Sequence, residues 1–295
     1  MAIDYDKIMN WPFEEVEQSY TEKDAILYAL GVGLGNEPTN PDQLKFLYEN
    51  DPDFQVLPTM AIVLAGPGFW VQNPESGINW KTILHGEEGM VLHQPLPKSG
   101  TVIGKTRVTE ILDKGEGKGA LIYTERTLKD KGSGDLLATL HRTSFARSDG
   151  GFGGSPGPQP QPHPIPEREP DDVVDVPTHV GAALLYRLSG DYNPLHADPE
   201  VASSAGFERP ILHGLGSLGF AIHALLKQHR DSDANSLRSL NIRFSKPVLP
   251  GQTIRVESWR EGNDDQGDEL ISFRARLVET DAVVLNNGRL SLSHQ

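Results

Sequence analysis

The chain has 295 residues, enough for one large domain or two of ordinary size with a substantial core. Its 27 lysines and arginines against 41 aspartates and glutamates leave a net charge of −14, which argues against a nucleic-acid or anionic-membrane binder. The absence of cysteine excludes disulfides, thiolate catalysis and cysteine zinc sites. With no signal-peptide pattern and no run approaching ~20 apolar residues, we expect a soluble, cytoplasmic protein.

The first half of the chain predicts two helices followed by antiparallel strands. Residues 21–31 open with a capping threonine and carry apolar residues at helical spacing. A second, wholly apolar helix begins near Val56, and Gly66-Pro67-Gly68 stops it after roughly two turns. Runs rich in β-branched residues, separated by glycine-rich turns, then predict strands at Met90–His93, Thr101–Leu112, Ala120–Leu128 and Leu136–Phe145.

Residues 149–171 break this order with a glycine-rich run and then closely spaced prolines. Such a segment cannot form a helix or a central strand, so it is expected to be an extended, semi-rigid linker. The sequence therefore predicts an N-terminal half of residues 1–148, a linker of residues 149–171 and a C-terminal half of residues 172–295.

After the linker the pattern of the first half returns. The matches, at offsets of 158, 155 and 152 positions, are Ala183–Leu188 with Ala25–Leu30, Leu212 with Leu57, and Pro247–Thr253 with Pro95–Thr101. Three matches in the same order indicate duplicated halves, each with the same fold.

The two halves differ in their second helix and in their titratable residues. In the C-terminal half the apolar helix runs from Gly214 to His229 without a breaker, whereas truncation of its counterpart leaves apolar surface that could hold an acyl chain. Only the C-terminal half carries Asp191 and His196, and Asp191 corresponds to Gly33 in the first half. We therefore expect one half to carry the chemistry and the other to bind.

Asp191 and His196 lie within six residues of each other. Pro194 biases Asn193 away from helical geometry, which predicts a turn projecting from the end of a helix. A carboxylate and an imidazole held close together can position and deprotonate a water molecule. By spacing alone, the same residues also fit a solvated surface turn.

Other candidate sites are weaker. The intervals between His213, His223 and His229 place these residues on different faces, so no metal site is expected. The chain has no Gly-x-Ser-x-Gly elbow of a serine hydrolase, and residues 150–154 precede proline-rich chain and not the helix of a dinucleotide fingerprint.

Six ordered motifs carry a family resemblance. Gly190-Asp-Tyr-Asn-Pro-Leu-His-Ala-Asp-Pro199, Pro210-Ile-Leu-His-Gly-Leu215 and Arg243-Phe-Ser-Lys-Pro-Val-Leu-Pro-Gly251 resemble the MaoC-like type 2 (R-specific) enoyl-CoA hydratases. Leu84-His-Gly-Glu87, Leu112-Asp-Lys-Gly115 and Gly150-Gly-Phe-Gly-Gly154 are similar to pieces of the two-lobed hydratase domain of peroxisomal multifunctional enzymes. The resemblance covers residues 5–293 apart from the linker.

The resemblance implies an α+β double hotdog fold, in which each duplicated half wraps a curved antiparallel sheet around a central helix. It implies hydration of trans-2-enoyl-CoA to (3R)-3-hydroxyacyl-CoA, with CoA as part of the substrate, no metal or redox cofactor, and a homodimer. By the same resemblance, Asp191 and His196 activate the water and Asn193 steadies the turn or the water. The Gly214 N–H would donate to the thioester oxygen, and it lies where a helix should begin, a place that favours negative charge.

The motifs also imply residues that bind the substrate, with Lys114 as a point charge for a CoA phosphate. These residues are His85, Gly86, Lys114, Tyr192, Pro194, Leu195 and Phe244. Two alternatives stay open: a hotdog acyl-CoA thioesterase and a non-catalytic acyl-binding module. The spacing of Asp191 and His196 favours hydration over the first, and the presence of both residues speaks against the second.

Overall fold

Ten strands form one antiparallel sheet in the computed structural model, which describes residues 3–293. The strands are β1 Val16–Tyr20, β2 Ile83–Leu92, β3 Gly100–Asp113, β4 Ala120–Asp130, β5 Leu136–Ala146, β6 Asp172–Pro177, β7 Leu237–Phe244, β8 Thr253–Asn263, β9 Glu269–Leu277 and β10 Val283–Leu292. Their order across the sheet is β1-β3-β4-β5-β2-β7-β10-β9-β8-β6. Each half thus supplies five strands in the same order of neighbours, related through the β2–β7 pair.

The helices of the described residues are short, with one exception. They are α1 Tyr5–Met9, α2 Glu22–Gly31, α3 Pro41–Leu44, α4 Ala182–Tyr186, α5 Pro199–Ser204 and α6 Gly214–Arg230. Single turns of 3-10 helix are found at Pro58–Ile62, Trp70–Gln72, Pro74–Ser76, Trp80–Thr82, Arg187–Ser189, Pro194–His196 and Ala234–Ser236. None of the helices in residues 3–293 has the length and apolar character needed to cross a bilayer.

Two predicted helices are confirmed with close agreement in their bounds. The first, α2, begins after Thr21, whose backbone N–H and hydroxyl both contact the Asp24 carboxylate at 2.8 Å in a capping box. The second, α6, begins at Gly214 and buries Leu218, Phe220 and Leu225 in the core of the C-terminal half. These buried residues make α6 the central helix around which that half of the sheet curves.

The apolar segment that begins near Val56 does not form the predicted two-turn helix. It forms the 3-10 helix Pro58–Ile62 followed by a turn, in which Ala65 has a φ of 46°. A guanidinium Nη2 of Arg126 donates to the Ile62 carbonyl at 2.5 Å, so it bonds a group that a continuing helix would have bonded. The truncation is confirmed, and the predicted length was wrong.

Residues 149–171 contain no helix or strand. The Asp113 carboxylate accepts hydrogen bonds from the N–H groups of Gly151 and Gly153 at 2.7 and 2.8 Å, and Trp259 Nε1 donates to the Arg168 carbonyl at 2.8 Å. The segment is therefore held to the N-terminal half at its start and to the C-terminal half at its end. The precise residues at which the two halves divide stay a prediction.

Candidate active site

The turn that follows α4 presents two titratable side chains to the interior. The chain leaves the 3-10 helix Arg187–Ser189 through Gly190, whose φ of 136° favours glycine. Asp191 Oδ1 then accepts from the Asn193 N–H, and Asn193 Oδ1 accepts from the Leu195 N–H, both at 3.1 Å. Asn193 has a ψ of 122°, as expected for a residue that precedes proline, and its side chain steadies the turn.

His196 is held as a neutral imidazole with one nitrogen free. Its Nδ1 lies 2.8 Å from the Ile211 carbonyl, which can only accept, so Nδ1 carries the proton and Nε2 keeps a lone pair. Burial lowers the pKa of His196, against the opposing effects of the Ile211 carbonyl and the Asp191 charge. At neutral pH, Nε2 is therefore a base.

His213 completes the cluster, although sequence reasoning assigned it no role. Its ring stacks on that of His196 with centroids 3.6 Å apart, and its Nε2 donates to the Asp191 backbone carbonyl at 3.1 Å. Burial, followed by the repulsion that arises when both imidazoles are protonated, lowers the pKa of His213 to about 4. One potential ligand atom from each of Asp191, His196 and His213 lies within 4.8 Å of the other two. The expected absence of a metal here stays a prediction.

The first residue of α6, Gly214, lies directly after His213 and therefore beside the turn that carries Asp191 and His196. A Cβ atom at Gly214 would stand 3.1 Å from Cδ1 of Phe244, so a larger residue would crowd this ring. The ring of Phe244 in turn lies 4.6 Å, centroid to centroid, from that of His85. The structure thus brings together three of the predicted residues from β2, β7 and α6, at a helix end that favours negative charge.

Gly86 explains how His85 reaches this position. The pairing of β2 with β5 shifts register between His85 and Glu87, which is a β-bulge at Gly86. A Cβ atom at Gly86 would stand 3.2 Å from the Thr143 carbonyl. The bulge redirects the strand at the point where it presents His85 to Phe244.

The remaining predicted substrate-binding residues lie in the turn between β3 and β4 or in the turn that carries Asp191 and His196. The Nζ atom of Lys114 is 5.4 Å from the ring centroid of Phe145, and Phe145 pairs with the half-exposed Leu84. Tyr192 is exposed and lies 5.0 Å from the guanidinium of Arg187. Pro194 and Leu195 form the turn that carries His196 and face outward or partly outward.

A cavity of about 130 Å³ lies in the N-terminal half, beside the truncated helix. Its walls include Phe69, Trp70 and Val71, but the opposite wall is the charged group Glu88, Arg126 and Arg142 with His85. The sequence predicted apolar surface that could hold an acyl chain, but it gave no sign of this charged wall, because Arg126 and Arg142 come together only through strand pairing.

Comparisons with known proteins agree over both halves. Residues 18–148 match the family of the MFE-2 hydratase 2 N-terminal domain, and residues 162–283 match the MaoC like domain. Enoyl-CoA hydratase ChsH3 of Mycobacterium tuberculosis is 40% identical over 294 residues, which cover 98% of this chain and 99% of that protein. The chain belongs to the MaoC-like hydratase family.

Two further proteins show how much of this chain is similar to other members of the family. Peroxisomal multifunctional enzyme type 2 of Mus musculus is 39% identical over 280 residues, which cover 93% of this chain but only 36% of that enzyme. The crystal structure of a MaoC-like dehydratase from Phytophthora capsici has a TM-score of 0.85 at 38% identity and covers 98% of this chain and 99% of that one. The predicted family and double hotdog fold are confirmed.

His213 and Arg126 are the two most informative residues that sequence reasoning missed. His213 lay within a motif used for the resemblance, but its bonding partner, the Asp191 carbonyl, is 22 positions away. Arg126 stands in a strand whose burial pattern is regular, and no local signal marks it as the residue that caps Ile62. Both roles depend on contacts between segments distant in sequence.

Proposed function

We propose that the chain is a hydro-lyase that catalyses the reversible hydration of trans-2-enoyl-CoA thioesters to (3R)-3-hydroxyacyl-CoA. One observation carries the proposal: a single turn holds the Asp191 carboxylate and the free Nε2 of His196 next to the start of α6 at Gly214. The names of the relatives, enoyl-CoA hydratase and MaoC-like dehydratase, support the same reaction.

The proposed chemistry needs a base, an acid and a stabiliser of negative charge. A water molecule held between Asp191 and His196 loses a proton as its oxygen adds to C3 of the enoyl group, and C2 gains a proton. Electron density moves onto the thioester oxygen during the addition. The Gly214 N–H at the start of α6 donates to that oxygen. A preorganised donor of this kind lowers the activation free energy by about 3 to 4 kcal/mol.

His85, Gly86 and Phe244 flank Gly214, and we assign them to the thioester end of the substrate. Lys114 and Tyr192 lie farther out, and we assign them to the nucleotide end of CoA. The electropositive Lys114 suits a phosphate, and the exposed ring of Tyr192 offers a surface for stacking.

The test is a hydration assay with crotonyl-CoA and longer trans-2-enoyl-CoA esters. We expect the enoyl absorbance to disappear and the product to be oxidised by an R-specific, but not by an S-specific, 3-hydroxyacyl-CoA dehydrogenase. Formation of the S product contradicts the assignment.

The same assay separates the alternatives. Release of free CoA, detected with a thiol reagent while the enoyl absorbance persists, identifies a thioesterase that directs water to the carbonyl carbon. Tight binding of the acyl-CoA without either reaction identifies a non-catalytic module.

The proposal includes no redox cofactor, because hydration causes no net oxidation or reduction, and no metal, because Asp191, His196 and the Gly214 N–H together supply the acid–base groups and the charge stabiliser. Turnover that survives exhaustive dialysis against a chelator supports this. We also propose a homodimer, to be tested by light scattering, since the exposed apolar side chains of Val180, Leu184 and Leu188 offer a surface to a second copy. A cytoplasmic location is proposed on composition and is testable by cell fractionation.

A further inference from the structure

The charged wall of the N-terminal cavity carries one more positive charge than negative. Arg142 Nε lies 3.0 Å from Glu88 Oε2, and His85 Nε2 lies 2.7 Å from the same oxygen. Burial and the charge of Arg142 lower the pKa of His85, so the imidazole is neutral at neutral pH. Two guanidinium groups, those of Arg126 and Arg142, therefore face the single carboxylate of Glu88.

Among the charged residues of this wall, Arg126 has a hydrogen-bond donor that is not used within the described part of the chain. The residue is only 8% exposed, and one of its terminal nitrogens donates to the Ile62 carbonyl. Its Nε atom is buried and has no hydrogen-bond partner within residues 3–293. Burial lowers the pKa of Arg126 to about 10, with Arg142 adding to the shift and Glu88 opposing it. A buried, incompletely bonded cation is costly and calls for a partner.

The duplication shows what these positions hold when they serve only as core. Thr106 pairs with Arg126, and Ser258, its equivalent at the offset of 152, pairs with Phe273. The next strand pairs in each half extend this correspondence. Arg142 in β5 corresponds to Leu290 in β10, and their partners Glu88 in β2 and Leu240 in β7 correspond to each other. Phe273, Leu290 and Leu240 are fully buried.

Apolar residues of this kind would be sufficient to line a cavity that binds an unsubstituted alkyl chain. The N-terminal half instead holds Arg126, Arg142 and Glu88 at the same three positions, where they line the cavity beside the 3-10 helix Pro58–Ile62. Because charges in this position cost stability, their presence points to a ligand group that bonds to them.

The cavity adjoins the candidate active site by two routes. His85 lines the cavity and also contacts Phe244, which covers Gly214. On the other side, the Ile62 carbonyl accepts a hydrogen bond from Arg126. The next residue, Val63, is close to Gly190, since a Cβ atom at Gly190 would stand 3.5 Å from the Val63 carbonyl oxygen. An acyl group whose thioester lies at Gly214 is therefore directed toward the arginines.

We propose that Arg126 and Arg142 bind a carboxylate at the far end of the acyl group, so that the enzyme prefers ω-carboxyacyl-CoA thioesters over alkyl ones. The proposal rests on the proposed function and names the substrate class of that site. A guanidinium presents paired donors in the geometry that a carboxylate accepts, and the added negative charge neutralises the excess positive charge of the wall.

The experiment compares pairs of trans-2-enoyl-CoA esters of equal chain length that end in a carboxylate or in a methyl group. At chain lengths that reach the arginines, we expect kcat/KM for the carboxylate to exceed that for the methyl ester by at least about 10-fold, the scale of a buried charged hydrogen bond. A wild-type ratio near one at every length overturns the proposal.

Variants locate the effect. Arg126→Met should bring the ratio of kcat/KM for the carboxylate ester to kcat/KM for the methyl ester to within about twofold of one. Arg126→Lys, which keeps the charge, should retain part of the preference for the carboxylate ester. Lys129→Met is the matched control, because it removes a positive charge from an exposed position of the same strand and should leave the ratio unchanged. Equal losses in Arg126→Met and Lys129→Met, or equal weakening of carboxylate and methyl esters by Arg126→Met, contradict the subsite.

Two further measurements keep the test decisive. If Arg126→Met does not fold, Arg142→Gln, at a side chain that is 40% exposed, should lower the ratio in its place. If the wild-type protein hydrates no enoyl-CoA, the proposed function fails, but calorimetric binding of saturated ω-carboxyacyl-CoA against acyl-CoA still measures the preference of the cavity. Equal affinities for the two saturated esters then contradict the subsite independently of turnover.

Discussion

The two halves arrange five strands in the same order, but they cover the inner face of the sheet in different ways. In the C-terminal half, the 17-residue helix α6 belongs to the same hydrophobic cluster as fully buried strand residues such as Phe273 and Leu290. In the N-terminal half, the five-residue 3-10 helix Pro58–Ile62 stands in for it, and the corresponding strand positions hold Arg126 and Arg142.

This difference shows how duplication separates stability from binding. One apolar core runs through both halves, and the C-terminal copy of the fold also fills the positions equivalent to Arg126 and Arg142 with apolar residues. The other copy can then carry polar groups on its inner face, because the two halves share one sheet through β2 and β7. The same division applies to the turn after the first helix of each half, which holds Asp191 in one and Gly33 in the other.

The largest expected effect concerns the half that carries the titratable pair. Asp191→Asn or His196→Gln should lower kcat for enoyl-CoA hydration by at least about 100-fold, the usual scale for losing a positioned acid or base. Circular dichroism and the thermal midpoint should stay close to those of the parent.

Asp198→Asn is the control, since it makes the same chemical change seven positions later. Asp198 accepts from the Glu200 N–H at 2.8 Å at the start of α5, and asparagine fills that role equally well. Parent-like activity in Asp191→Asn, or an equal loss in Asp198→Asn, would mean that the C-terminal turn does not carry the chemistry.

The next prediction tests the packing between the two halves, at the contact of Gly33 with α6. A Cβ atom at Gly33 would stand 2.2 Å from Cε1 of the buried Phe220 in α6, and Gly33 has a φ of 94°. Gly33→Ala combines overpacking with backbone strain, so we expect the free energy of unfolding to fall by roughly 3 kcal/mol, as measured in urea.

Gly134→Ala isolates the backbone part of this effect. Gly134 has a φ of 80° but nothing within 4 Å of its Cβ position, so its substitution should cost only about 1 kcal/mol. Equal costs at Gly33 and Gly134 would show that the contact with Phe220 contributes nothing.

A third prediction uses the buried histidines of the C-terminal half. Burial lowers the pKa of both His213 and His223 to about 4, and the shift is increased by repulsion from a protonated His196 for His213 and by the charge of Lys227 for His223. Below about pH 6.5 the unfolded chain binds these protons and the native chain does not. The free energy of unfolding should therefore fall as the pH drops from about 6.5 to 4, by up to about 1.4 kcal/mol per pH unit for each histidine.

His223→Gln should reduce this slope, because glutamine can replace the hydrogen bond to the Val32 backbone but takes up no proton. Urea midpoints measured across the pH range provide the test, and His141→Gln, at an exposed position of β5, is the control. An unchanged slope in His223→Gln contradicts the prediction.

The smallest expected effect concerns the turn between β3 and β4 in the N-terminal half. Lys114→Ala should raise KM for enoyl-CoA about threefold at low salt, since an exposed charge pair contributes no more than about 1 kcal/mol. KM for the pantetheine thioester, which lacks the nucleotide phosphates, should not change. An equal rise in Lys118→Ala, on the same turn, would indicate a general charge effect and no specific contact by Lys114.

Much of the fold was readable in the sequence because local signals agreed with the tertiary structure. Thr21 and Asp24 mark the start of α2, and the repeated Pro95–Thr101 and Pro247–Thr253 segments lead into the equivalent strands β3 and β8. The segment after Val56 misled, since its apolar composition fits a helix while Arg126, far along the chain, bonds the carbonyl at which that helix ends.

By itself, the sequence determined the duplicated halves, the long helix beginning at Gly214 and the turn that brings Asp191 near His196, because capping, proline and periodicity act over a few residues. Only the tertiary structure decided that His213 stacks on His196, that Phe244 joins His85 to Gly214, and that Arg126 and Arg142 share a cavity with Glu88. All of these contacts join segments that are distant in sequence. Those among His85, Glu88, Arg126, Arg142 and Phe244 also depend on strand register, because a shift of one residue would turn a strand side chain to the opposite face of the sheet.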